Sequence, residues 1–358
     1  MIKKDLSGGF VMRNRQRTFF DLEKHQERHE RLKDPLIKLQ TAVDWQGIAA
    51  WLDRAIPRQP NPKGGRPPYP HELMIKILFV QRLNGLSSER MEFLLVDSMS
   101  VQRFMNLIPG DDFPDQNTIW LYLEQIVEAN LTKKLFRRVL SSLKSGGLKL
   151  GRKGSIIDAT FVEVPRQRNS RKENESIKKG IVPPEWKKPG QESKLAQKDT
   201  DARWTKKNEQ TYFGYKDHTK VDVSTKIITE YQTTSAEVHD SQVAEKLFSR
   251  KDKGKPMFGD SAYKSALLDR ALKRLGIINK IHEKGYRNKP LTESQIERNT
   301  AKSRIRARIE HVYGYFHNNM GADYARAIGL QRIETIIGLN NLVYNIMRAV
   351  SLNVKVAM

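Results

Sequence analysis

Three acidic residues stand out by where they fall rather than by type. Asp158 sits inside GSIIDATFVEV, a run of Ile, Val, Phe and Thr that reads as an interior β-strand. An unpaired carboxylate is costly to bury, so an acid in mid-strand needs either water or a positive partner. Asp260 follows the short strand PMFG in FGDSAY, where Gly259 lets the chain turn. Glu310 lies in SRIRARIEHVYGYF, read as one helix whose Ile305, Ile309, Val312 and Phe316 recur at four, three and four residues. Glu310 is one residue off that buried stripe, at the edge of the packed face. If the strands carrying Asp158 and Asp260 are neighbours, the three acids can converge. Such a set of oxygen donors can hold two magnesium ions ~4 Å apart for in-line attack on a phosphodiester.

Each acid also has a plainer explanation. Asp260 could cap the helix that follows. Glu310 stands four residues after Arg306, the spacing of an ordinary ion pair worth ~0.3–0.5 kcal/mol. Asp158 has the fewest such explanations. Taken singly, Asp260 and Glu310 favour the plainer role, and their joint order favours the site.

The elements around these acids divide the chain. Residues 1–145 read as an all-helical unit. Helical patterns over 14–60 end in IPRQPNPKGGRPP. Leu73, Ile77 and Val80 form a stripe closed by Asn84-Gly85. Ser87 or Ser88 caps a helix with Met91, Leu94 and Leu95, and residues 116–143 give one or two more. GGLKLGRKG links to residues 146–358, which run β, β, β, α, β, α, β and then helices. Residues 330–350 are apolar nearly all round, as in a buried helix. The expected class is α+β, with a helical N-terminal domain and a mixed five-stranded sheet flanked by helices. Residues 165–211, with 13 Lys/Arg against 7 Asp/Glu, read as a solvated or disordered basic insertion suited to a phosphate backbone.

Composition narrows the partners. The 358 residues hold 64 Lys+Arg against 41 Asp+Glu, a formal net charge of +23, and nucleic acid is the commonest partner for such a surplus. No apolar run approaches the ~18–20 residues of a membrane span, and MIKKDLSGGFVMRNRQR has no apolar signal core. A cytoplasmic, nucleoid-associated protein is the expectation. With no cysteine, thiolate metal sites and a Cys nucleophile are excluded.

The residues now carry a resemblance. The chain resembles the DDE-class insertion-sequence transposases, and more narrowly insertion-sequence family five. GGRPPYPHELMIKILFVQRLNGLSSERMEFLLVDSMSVQRFMNL with DDFPDQNTI resembles that branch's InsH-type N-terminal domain. IIDAT resembles its first-aspartate motif, and DARWTKK with FGYKDH the segment leading into strand two. Asp260 and Tyr263 match G-D-x-x-Y. Arg306, Glu310 and His317 fall on a Tyr-Arg-Glu-Lys signature, with Ser303 in place of its Tyr and His317 in place of its Lys. The resemblance implies an RNase H-like catalytic domain in which Asp158, Asp260 and Glu310 are catalytic and hold two Mg2+ ions, for which Mn2+ can substitute. It implies a bacterial enzyme that binds terminal inverted repeats, cuts the element's ends and joins them to target DNA, as a homodimer or larger complex on double-stranded DNA. A catalytically silent DNA-binding descendant, or a nuclease that hydrolyses without joining, are the competing classes.

Beside the acids, Arg304, Arg306 and Arg308 fan around their helix, so all three cannot touch one phosphate. Arg306 and His317 share the Glu310 face and are the best phosphate contacts; Arg304 and Arg308 are as readily solvated. Lys216, with His218, is expected to point outward from the second strand toward the DNA. Tyr263 joins the DNA contacts by its motif. Trp204 could stack on an unpaired base, although packing is the commoner fate of a lone Trp. His239-Asp240 opens a helix and is expected to cap it, with support of a metal ligand as the alternative.

Overall fold

The computed structural model describes residues 3–4, 10–11, 23–24, 27–28, 31–32, 34–58, 64–108, 110–207 and 209–357. The first helical pattern expected over 14–60, and much of the proline-rich stretch after it, lie outside the described residues. Seven helices follow one another: α1 Pro35–Ala42, α2 Trp45–Ala55, α3 His71–Leu83, α4 Ser88–Asp97, α5 Met99–Met105, α6 Gln116–Glu128 and α7 Thr132–Ser145. Local chemistry sets their ends. Ser87 caps α4 through the Arg90 N–H, and Asp115 caps α6 through Thr118. Asn84 closes α3, and Gly85 turns at φ +60° where the carbonyl of Met320 leaves no room for a Cβ.

The second part is built on β1 Ser155–Glu163, β2 Arg203–Lys207, β3 Gln210–Asp222, β4 Ile228–Ser235, β5 Pro256–Gly259 and β6 Ile278–Ile281. The sheet order is β2-β3-β1-β5-β6, with β4 paired to the remaining length of β3. β1 runs antiparallel to β3 and parallel to β5, so the strand bearing Asp158 is central and adjoins the strand leading to Asp260. Helices α8 Arg171–Lys178, α9 Glu192–Ala196, α10 Asp240–Val243, α11 Ala266–Arg274, α12 Glu293–Arg306, α13 Glu310–Met320 and α14 Leu330–Ser351 complete the chain.

Alternation along β1 divides the core. Ile156 and Val162 face a large cluster that runs through α14 into the N-terminal helices. Ile157 faces a smaller one with Met257, Tyr263, Leu268, Leu272 and Ile281 under α11. Apolar packing thus continues across residue 145, and α14 carries it. Inside α14, Asn345 accepts from the Ile228 N–H at 2.9 Å and donates to its carbonyl at 2.8 Å, which pins the start of β4. Gly338 lets the helix approach β4 and α7. A Cβ there would lie 2.5 Å from Thr132 Cγ2 and closer still to the Tyr231 hydroxyl. A helix-interior Gly→Ala change ordinarily stabilises by ~1 kcal/mol. Gly338→Ala is expected instead to destabilise by ~1–3 kcal/mol through overpacking, read as a lower thermal midpoint.

Two expectations are corrected. The sheet has six strands rather than five, because Arg203–Lys207 pairs with Gln210–Gly214 at an edge. That strand is mostly basic and shows no apolar alternation, as suits a charged edge. The insertion around it is not a disordered loop. Trp186 is fully buried and its Nε1–H donates to Glu173 at 2.6 Å, while Ser170 and Glu173 form a capping box on α8.

Candidate active site

Strand register brings the first two acids together. Ile156 pairs with Phe258 in parallel, so two steps further along each strand Asp158 and Asp260 meet on the same side of the sheet. Asp158 is 7% exposed. It accepts from Arg306 Nη1 and from the Ala159 N–H, each at 2.9 Å. Burial raises its carboxyl to about 6, and the like charge of Asp260 adds to this against the Ala159 N–H and the Arg306 guanidinium. Asp260 caps the short turn Ser261–Tyr263 by accepting from Ala262 N–H at 3.0 Å, so its plainer role and its place in the site coexist. Beside it His282 donates its N–H to Gly259 O at 3.1 Å.

Glu310 does not sit within one long helix. The chain breaks between α12 and α13, where Arg308 and Ile309 bond back three residues rather than four. Ile309, Val312 and Phe316 stay buried, while Glu310 becomes the exposed first residue of α13, where the helix dipole favours an acid. Arg306 pairs with Asp158 and not with Glu310. Tyr313 lies between these groups. Burial, then the charges of Asp158, Asp217 and Glu310, push its phenol well above the ordinary value, and its hydroxyl meets Thr219 at 2.9 Å.

Asp158 and Asp260 suit a hard divalent cation: two adjacent carboxylates, one buried and already drawing a guanidinium, call for positive charge. Among the described residues no three His, Cys, Asp or Glu side chains gather closely enough to form a ligand set. Glu310 borders the pair without closing a cage.

Residues 149–346 match the family model described as "Transposase DDE domain", and residues 21–125 match "Transposase domain (DUF772)". The chain belongs to the DDE transposase family. It is therefore an enzyme of metal-dependent DNA cleavage and strand transfer, from a family that uses divalent ions. A piggyBac transposase, solved as a synaptic complex with hairpin DNA, resembles it at 14% identity and a TM-score of 0.45, over 91% of this chain and 77% of that one. No helix among the described residues is long and apolar enough to cross a membrane.

In this transposase several residues expected on DNA face elsewhere. Lys216 is buried rather than outward-pointing, donating to Asp240 and to Val238 O at 2.9 Å each, and His218 beside it is fully buried. The reason is that β4 and the α10 turn cover this face of β3. Tyr263 is a core residue, with no exposed surface and a hydroxyl lacking any partner. His317 is exposed and bound to Asp323 at 2.7 Å. Arg304 and Arg308 are exposed. Trp204, 43% exposed on the edge strand, packs beside Phe213 with Arg166 over its ring. His239 caps α10, and Asp240 is held by Lys216.

Two residues were not singled out. Asp217 sits opposite Thr160 on the Asp158 face and is 3% exposed, with Oδ1 unpartnered. The mid-strand rule that found Asp158 applies equally to the acid in TYFGYKDHTK. The second, Asp199, belongs to the insertion and is taken up in the Discussion. Burial raises Asp217 to about 8 from an ordinary 3.8. The folded chain therefore keeps a proton that the unfolded chain releases, and stability falls as pH rises between these values, by at most about 1.4 kcal/mol per pH unit. Asp217→Asn removes that slope, so thermal midpoints measured at about pH 5 and about pH 8 should differ less than in wild type.

Proposed function

We propose that this transposase cuts DNA at the ends of its own insertion sequence and joins the freed ends to target DNA, using Asp158, Asp260 and Glu310 as the ligands of two magnesium ions. The observation that carries this is the parallel register of β1 and β5, which sets a buried carboxylate beside a second one on rigid strands. When bound, the ions supply Lewis-acid stabilisation at the phosphoryl oxygens and lower the pKa of bound water. The chain's own residues prepare that site. Strand β1 fixes the position of Asp158. Arg306 holds one of its oxygens and keeps it oriented, and lies where it can also meet a phosphate. Tyr313 and Thr219 wall the space between Asp158 and Glu310. No protein nucleophile is needed, because the attacking group is a water or a DNA 3′-hydroxyl.

Residues 1–145 are assigned to binding the element's ends and to assembly, and 146–358 to catalysis. The open groove between α2 and α7, lined by Trp51, Arg54, Lys134 and Arg138, offers the helical part a basic surface for duplex DNA. A homodimer or larger complex follows from the need to join two ends to one target. Terminal inverted repeats should flank the gene in a bacterial genome. The test uses the full chain, magnesium and a labelled duplex ending in those repeats. Nicking at the repeat end followed by a joined product supports the proposal. Hydrolysis with no joined product would make the chain a nuclease, and binding with no cutting would make it a silent descendant.

A further inference from the structure

The edge of the sheet beyond Asp260 carries a feature that the catalytic residues do not use. Strand β6 pairs with β5 so that Ile281 lies beside Gly259, placing His282 next to Asp260. From there the chain makes a tight turn in which Tyr286 and Lys289 exchange backbone hydrogen bonds at 3.0 Å, and then enters α12, which returns to Arg306. Between β6, this turn and α12 is an open cleft of about 430 Å3, lined among others by Lys264, Lys284, Tyr286, Lys289 and Lys302.

Three observations give the cleft a ligand class. First, residues 278–308 hold nine Lys/Arg against three Asp/Glu. Second, the positive groups are not neutralised in place. Lys302 meets Glu283 at 3.8 Å, yet burial and then the charges of Arg298, Lys280 and Lys264 lower its amine. Lys284 and Lys289 are exposed, and neither ammonium has an ion pair or hydrogen bond among the described residues. Third, the cleft is continuous with the site: His282 feels the charge of Lys302 and Arg306 on one side and of Asp260 on the other. At the tip, Tyr286 is 61% exposed between Lys284 and Arg287, an aromatic set among cations as on nucleic-acid surfaces.

We propose that this cleft is a phosphate track, in which Lys284 and Lys289 grip the backbone of the DNA strand leaving the Asp158–Asp260 site and Tyr286 rests against its sugar or base. The inference rests on the DNA-cutting reading of that site. It also relocates the DNA path: the strand runs off the sheet at β6, not along the β3 face where Lys216 is buried.

The experiment measures binding of the full chain to a fluorescein-labelled 30-base-pair duplex of arbitrary sequence by anisotropy across a salt series. Each released phosphate contact contributes about 0.7–0.9 to the log–log slope. Lys284→Gln with Lys289→Gln should therefore flatten the slope by about 1.4–1.8 and weaken binding about tenfold at about 0.1 M salt. Both positions are in an exposed turn, so the thermal midpoint should not move. A control pair, Lys251→Gln with Lys253→Gln, exposed at the other end of β5, should leave the slope unchanged. An unchanged slope in the first pair, or an equal loss in the control, would overturn the track. If the first pair binds with wild-type slope and still cuts DNA under magnesium, the track falls and the catalytic reading stands. A wild-type chain that binds but never cuts overturns both.

Discussion

Asp158→Asn is expected to lower end cutting by at least about a thousandfold while leaving affinity for DNA within about twofold. The substitution keeps size and shape and removes the charge. Charge stabilisation by a bound metal is worth several kcal/mol in a phosphoryl-transfer barrier, and each ~1.4 kcal/mol is a factor of ten in rate. Affinity should hold because DNA binding is set by the basic surfaces, and Asp158 is buried. Arg306 loses its charged partner at 2.9 Å but is part-exposed and can turn to water. Cutting is read on labelled end duplexes and binding by anisotropy. Normal cutting by Asp158→Asn would remove the residue from the site.

A second large effect falls on stability, at Asp199. This acid is 2% exposed and acts as a clasp. It accepts from the Tyr215 hydroxyl at 2.8 Å, from the N–H groups of Asp201 and Ala202 at 2.9 Å, and from Gly329 N–H at 3.1 Å. It thereby ties the basic insertion to β3 and to the start of α14. Hydrogen bonds to charged groups are worth ~1.5–3 kcal/mol each, and a buried donor left without a partner costs a further ~1–3 kcal/mol. Asp199→Ala should destabilise by ~3–5 kcal/mol, a fall of roughly 5–15 °C in thermal midpoint. The cleavage pattern in limited proteolysis should shift to residues 165–207, since their anchor is gone. A midpoint within about 1 °C of wild type would show that the clasp contributes little.

Much of this architecture is legible in the amino-acid sequence, for physical reasons that differ by element. Periodicity and caps reveal α3, α4 and α14, because an apolar stripe bounded by Asn-Gly or Ser is a local signal. The central strand is legible from its β-branched run, and Asp158 from the cost of burying it. What local pattern does not carry is pairing. That Lys216 is buried depends on β4 and α10 covering β3, a long-range fact. The break before Glu310 is hidden because Ile305, Ile309, Val312 and Phe316 keep helical spacing across it. The edge strand Arg203–Lys207 has no apolar alternation, and the fold of the insertion around Trp186 comes from side-chain bonds that composition does not show. Asp217 was within reach: it is a mid-strand acid facing the same way as Asp158.

The assignment of Asp158, Asp260 and Glu310 as ligands is tested most directly by mapping where a metal sits on the chain. Fe2+ replaces Mg2+ in oxygen-ligand sites, and with ascorbate and peroxide it cuts the polypeptide next to itself. With the full chain bound to end DNA, mass spectrometry should locate cuts beside residues 158, 260 and 310, suppressed by excess Mg2+ and lost in Asp158→Asn. Cuts beside 158 and 260 but not 310 would exclude Glu310, and cuts elsewhere in the chain would contradict the triad altogether.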